Sequence, residues 1–150
     1  MKVRLLIIAL ALVLCACSSN PSVQQDGPFK KYFSYIGQPV PSGYEPIGVN
    51  LYGPPSKELG YLGSEWLVFY VEKNKISEVR IHNSYEKNTD FLIWFLGFGN
   101  SAHVNGYKCI DERVGFFEFM KEKNHITLEE LTIPGSLYYS GRVIFFLGGI

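Results

Sequence analysis

Apolar and polar positions alternate with period two along Ile76-Ser77-Glu78-Val79-Arg80-Ile81-His82, the pattern of a strand with one buried face. Just before it, Trp66 to Glu72 (WLVFYVE) is enriched in aromatic and β-branched residues and reads as a second strand. Lys73-Asn74-Lys75 joins them with turn chemistry, Asn74 being able to take a positive φ, so the pair is predicted to form an antiparallel hairpin. Phe91 to Phe98 (FLIWFLGF) is apolar on all sides, which fits either a buried helix or a buried strand. The capping group Asn88-Thr89-Asp90 before it and the Gly97/Gly99 stop after it favour a helix near 89–98. A second helix is expected over 110–123, with Asp111 as cap, Val114, Phe117 and Met120 near helical spacing, and Lys121 and Lys123 placed to suit the dipole. Ile126 to Ile133 alternates again, Pro134-Gly135 turns the chain, and Arg142 to Leu147 reads as a buried strand. The fold class expected is therefore α+β: a small antiparallel sheet with strands near 66–72, 76–82, 126–133 and 142–147, and two helices packed on it.

From Phe29 to Gly63 the pattern changes. Gly and Pro recur at spacings that no long helix survives, Pro39, Pro41, Gly43, Pro46, Gly48, Gly53, Pro54 and Pro55 among them. Aromatic and aliphatic residues are interleaved throughout, so the segment is expected to wrap the core as extended pieces and tight turns. Turn-rich loops carrying rigid aromatics also make good contact platforms, which singles out Tyr35, Tyr44, Tyr52 and Tyr61 as candidate partner-binding residues.

The amino terminus has a different organisation. Lys2 and Arg4 precede the unbroken apolar run Leu5 to Leu14, and Leu14-Cys15-Ala16-Cys17 places a small residue before a cysteine. A run this short falls below the roughly twenty residues a spanning helix needs and has the layout of a secretory signal. The four closing residues resemble the lipobox of bacterial lipoproteins, whose cysteine takes a diacylglycerol thioether and becomes the first residue after cleavage. The resemblance implies lipidation at Cys17, and Ser18 after it implies sorting to the outer membrane, facing the periplasm. The domain layout expected is a signal peptide at 1–16, a lipidated start and polar tether at 17–28, and one globular domain at 29–150.

Cleavage there removes Lys2 and Arg4, leaving fourteen acidic residues against twelve basic ones. Such a balance supplies no basic field for nucleic acid. It also leaves Cys109 without an intramolecular partner, and a lone cysteine of this kind is expected to be a small buried hydrophobe.

Little else suggests chemistry. His82, His103 and His125 show no metal-ligand spacing, and no serine sits in a nucleophile-elbow pattern. Neither a metal nor another cofactor is expected. Glu129 and Glu130 would point to opposite faces of a strand, and Asp111-Glu112 reads as helix capping. Tyr35-Ile36-Gly37-Gln38-Pro39-Val40, Leu51-Tyr52-Gly53-Pro54-Pro55, Trp66 to Val71 and Lys75 to Val79 together resemble the opening of small lipoproteins of the SmpA/OmlA type. That resemblance covers roughly residues 35–80 and implies a compact α+β domain supporting outer-membrane protein assembly. Pro41, Gly43, Pro46 and Gly48 break the helix that the family places between its two glycine turns. The expected function is a membrane-anchored, non-enzymatic protein-binding module, either an envelope-assembly accessory or an immunity-type inhibitor. The alternative is a small-ligand binder or hydrolase with a pocket lined by the same tyrosines.

Overall fold

The computed structural model describes residues 27–55 and 62–149. Cys17, Tyr61, the signal segment 1–16 and the tether up to residue 26 lie outside the described residues. The elements are a single helical turn α1 (Lys30–Phe33), strands β1 (Glu45–Gly48), β2 (Leu51–Gly53), β3 (Trp66–Glu72) and β4 (Lys75–Tyr85), the helix α2 (Asn88–Val104), and strands β5 (Lys108–Arg113), β6 (Phe116–Lys121), β7 (Asn124–Glu130) and β8 (Tyr139–Leu147). All eight strands form one antiparallel sheet in the order β1-β2-β3-β4-β8-β7-β6-β5. Two four-stranded meanders thus meet through their last strands, β4 and β8, which pair from Glu78↔Phe146 to Tyr85↔Tyr139.

This is a β-rich fold, and it corrects the expected α+β arrangement with two packed helices. The helix predicted over 110–123 is the β5–β6 hairpin. Gly115 at φ +70° closes its turn, and Val114, whose spacing to Phe117 and Met120 mimicked a helix, sits fully exposed at the tip. The period that counts is two: Phe117 and Phe119 face the core while Glu118 faces away. Asp111 and Glu112 are accordingly strand residues rather than a cap.

The helix predicted near 89–98 exists and runs further, to Val104. Its N-cap position is Lys87, with no side-chain cap bond, so Asn88, Thr89 and Asp90 form its first turn instead. Gly97 and Gly99 do not stop it. A Cβ on Gly99 would meet Phe119 at 3.5 Å and Leu128 at 3.8 Å, ordinary contact distances, so this position faces the sheet from within the helix. The β3–β4 hairpin forms as its alternation predicts. Lys73 and Asn74 both take positive φ, 51° and 64°, the twist that matches a tight hairpin. The Gly/Pro-rich segment supplies α1, the β1–β2 hairpin and the turns around them.

One face of the sheet carries the core in rows across the strands. Phe69, Val79, Phe145, Ile126 and Phe119 are successive cross-strand partners, and so are Leu67, Ile81, Val143, Leu128 and Phe117. α2 covers these rows with Phe91, Phe95 and Ala102, and α1 adds Tyr32, stacked on Phe145 at 4.6 Å between ring centroids. Burial of side chains this large contributes about 1.5–3 kcal/mol each, which makes this face the main source of stability.

Candidate functional site

Strand direction gives the molecule two unlike ends. The described chain enters at Gly27, beside Asn105 at the C-terminus of α2, at the end that also holds the β3–β4 and β6–β7 turns. This is the near end. The far end holds the start of α2, the beginning of β3, and the connection from β7 to β8 at residues 131–138.

That connection is built to hold a fixed shape. Ile133-Pro134-Gly135-Ser136 is a turn closed by Ser136 N–H donating to the Ile133 carbonyl at 2.9 Å, with Gly135 at φ +83° as a type II turn requires. Thr132 pairs across to Ser140, and Leu131 N–H donates to the Ser140 carbonyl at 2.7 Å. The result is a pinned loop that turns apolar groups outward: Ile133 is 72% exposed and Leu137 81%, with Leu131, Tyr138 and Leu62 also open. Beside it, a cleft of about 210 Å³ is lined by Leu62, Ser64, Trp66, Ser84, Tyr138 and Ser140, among others. Ser84 and Ser140 hydrogen-bond to each other at 2.9 Å, so neither is aligned on a base. Around the far end stand Glu65, Glu86, Asp90, Glu112 and Glu130, opposed by Lys87 and by Arg113 at the β5–β6 turn.

The sheet face away from α2 carries a second arrangement, assembled by the β4·β8·β7 register. Trp66, His82, Arg142, Glu129 and Phe116 lie in one row, and Val68, Arg80, Ile144, Thr127 and Glu118 in the next. Carboxylates and cations on this face are matched: Arg142 Nε donates to Glu129 at 2.6 Å, Arg80 to Glu78 at 2.8 Å, and His125 Nδ1 lies 2.9 Å from Glu118. Among the described residues His82 has no carboxylate in hydrogen-bond contact. Burial, with the Arg142 and Arg80 guanidiniums beside it, pushes its pKa down to about 4, so it is neutral at physiological pH. The apolar stems of the two arginines lie beside Ile144, their row and strand neighbour, which is buried although no helix covers this face among the described residues. Paired charges of this kind give a rigid, striped surface rather than a reactive centre.

Among the residues singled out from sequence, Tyr35 and Tyr44 both pack their rings on Phe69, at centroid distances of 5.1 and 4.8 Å, and Tyr52 lies half-buried against the same core. Tyr35 and Tyr44 thus converge on Phe69, with Tyr52 opposite it on the neighbouring strand, and none of the three lines the far-end cleft. Cys109 is exposed on the edge strand β5, which corrects its reading as a buried hydrophobe. Glu129 and Glu130 do face opposite ways, Glu129 toward Arg142 and Glu130 toward Gly115. The alternation in β4 could have placed Arg80 and His82 on one face. Arg80 finds its carboxylate in Glu78 on the same strand, whereas Arg142 and Glu129, which follow His82 in its row, come from pairing across more than forty residues, which local pattern does not report.

No group of three His, Cys, Asp or Glu residues among the described residues is placed to hold a metal ion. No described helix is long and apolar enough to cross a membrane. No family model matches the chain, and no curated protein or solved structure matches it either. The class defined by the geometry is a single eight-stranded antiparallel sheet covered on one face by one long helix.

Proposed function

We propose that this chain is a bacterial envelope lipoprotein, held by acyl chains on Cys17 at the outer membrane and facing the periplasm, that works as a non-enzymatic protein-binding module. The observation that carries this reading is the pinned loop 131–138, which presents Ile133, Leu137 and Tyr138 at the end of the sheet remote from Gly27. A tether entering at one end leaves the opposite end free to meet a partner. Exposed apolar groups on a preformed turn bind without much ordering cost, and an aromatic such as Tyr138 is a common energetic anchor. The acidic residues around the loop favour a partner whose apolar contact patch has a basic rim. Paired charges on the open face and the mutually bonded serines in the cleft favour binding over catalysis.

The test is a photo-crosslinking residue at position 137 in the lipidated protein in its own cells, paired with the variant Ile133→Asp/Leu137→Asp. Crosslinking to one envelope protein at 137 and not at 49, lost in the folded double variant, is the expected result. A folded double variant that keeps its partner places the interface elsewhere, Tyr35, Tyr44, Tyr52 and Tyr61 being the next residues to probe. An envelope-assembly accessory and an immunity-type inhibitor separate by gene neighbourhood, because an immunity gene adjoins that of its toxin.

A further inference from the structure

Seven of the eight lysines among the described residues sit at the near end: Lys30 and Lys31 on α1, Lys73 and Lys75 at the β3–β4 turn, Lys108 at the start of β5, and Lys121 and Lys123 flanking the β6–β7 turn. Glu72 and Glu122 are the acidic residues of the same turns. Lys87 is the one described lysine at the far end, where with Arg113 of the β5–β6 turn it stands among Glu65, Glu86, Asp90, Glu112 and Glu130. A chain that is close to neutral as a whole is therefore strongly polarised along its strands. We propose that the near end is a docking surface for anionic phospholipid headgroups, which holds the domain upright on the membrane that anchors it.

Several observations support that occupant. The β3–β4 and β6–β7 turns are three strand spacings apart in the sheet, about 14 Å, so their lysines reach one plane together. Lys31, Lys73, Lys75, Lys108 and Lys123 are exposed, and among the described residues none of them is in an ion pair. Val49 stands 87% exposed at the tip of the β1–β2 turn, at the same end, as an apolar group suited to the headgroup boundary. A cleft of about 430 Å³ opens there too, lined by Lys30, Ser34, Asn105, Tyr107, Lys121 and Asn124 among others. Finally, the chain enters the described domain at this end, ten residues after Cys17, a length that spans at most about 35 Å.

The orientation rests on the lipoprotein reading, whereas the attraction to anionic lipid does not. The eleven residues of β4 measure about 36 Å, so an upright domain carries its far end beyond three Debye lengths of roughly 10 Å each. Lys87 would then feel nothing of the surface, and the loop 131–138 would face away from it. Each lysine close to an anionic surface strengthens partition roughly fivefold.

Among the described residues the buried core runs from Phe29 to Phe145, so a chain starting at residue 17 and carrying Cys17→Ser retains it and can be tested without acyl chains. Flotation compares vesicles of phosphatidylcholine alone with vesicles that also contain phosphatidylglycerol. Binding should require phosphatidylglycerol, be released by high salt, and fall at least fivefold in Lys73→Glu/Lys123→Glu, with circular dichroism unchanged. Lys87→Glu should bind like the parent. Equal binding to both vesicle types, or a loss in Lys87→Glu matching that of the double variant, overturns the proposal. So does a chain retained by a soluble polyanion but not by the anionic vesicles. Failure here with acylation at Cys17 intact leaves the anchor standing, and the reverse outcome leaves the docking surface standing.

Discussion

A Cβ built on Gly141 would come within 2.9 Å of the Phe91 ring and 3.1 Å of the Glu129 carbonyl oxygen, so α2 rests its first buried ring directly on the backbone of the central strand β8. One neighbour is backbone and cannot yield, and the other is held by Phe95 and Tyr139. Gly141→Ala should cost about 1–3 kcal/mol through this overpacking. A urea melt reads it directly, and a variant as stable as the parent would mean that α2 lifts freely at this end.

His82 sets a pH dependence. Its folded pKa of about 4 lies below the ordinary 6.5, so between those values the unfolded chain takes up the proton more readily than the folded one. The contribution is present in full above about pH 6.5 and is lost as pH falls toward 4, on the order of 3 kcal/mol in all. His82→Gln should flatten the stability profile in that window. An undiminished slope in this variant would assign the acid sensitivity to other groups.

Cys109 is exposed on an edge strand, its thiol 3.5 Å from the Asp111 carbonyl oxygen. Maleimide should label it in the native protein about as fast as in denaturant, and Cys109→Ser should move stability by no more than about 0.5 kcal/mol. Protection of the thiol in the folded state would contradict this placement.

On the proposed lipoprotein reading, Cys17→Ala should abolish palmitate incorporation and leave the precursor unprocessed or the product soluble, since that reading puts the thioether on this sulfur alone. Unchanged labelling of the variant would remove the lipoprotein reading.

Tyr44 places its ring edge-on to Phe69 at 4.8 Å, and Phe69 is fully buried. Tyr44→Ala should therefore lower the melting temperature, at a cost of about 1–3 kcal/mol. Loss of partner binding with the melt unchanged would instead make Tyr44 an interface residue.

What the sequence discloses here depends on distance along the chain. The β3–β4 hairpin is readable because its alternation and its turn residues are adjacent, and both point to the same structure. The identity of α2 is readable while its length is not, since Gly97 and Gly99 resemble a stop yet the helix carries both of them on to Val104. The β5–β6 hairpin is misread because Val114, Phe117 and Met120 fall by chance at helical spacing, while the turn at Gly115 looks like any other glycine. The charge rows of the open face are not legible locally at all. They exist only once β8 has chosen β4 and β7 as neighbours, which sets Arg142 between His82 and Glu129.

The seam between β4 and β8 has a consequence for how the protein is made. Tyr85 meets Tyr139, and every residue between them must be synthesised before the two halves of the sheet can join. Until then β4 offers an open edge from Lys75 to Tyr85, and β7 offers another once it has formed. Each is a template on which a neighbouring chain could add a strand. If the chain is exported as proposed, it would cross unfolded, and the position of β8 would tie the solubility of the product to complete delivery. A copy lacking β8 would be left with two half-sheets whose open edges invite added strands, the form quality-control proteolysis would be expected to remove first.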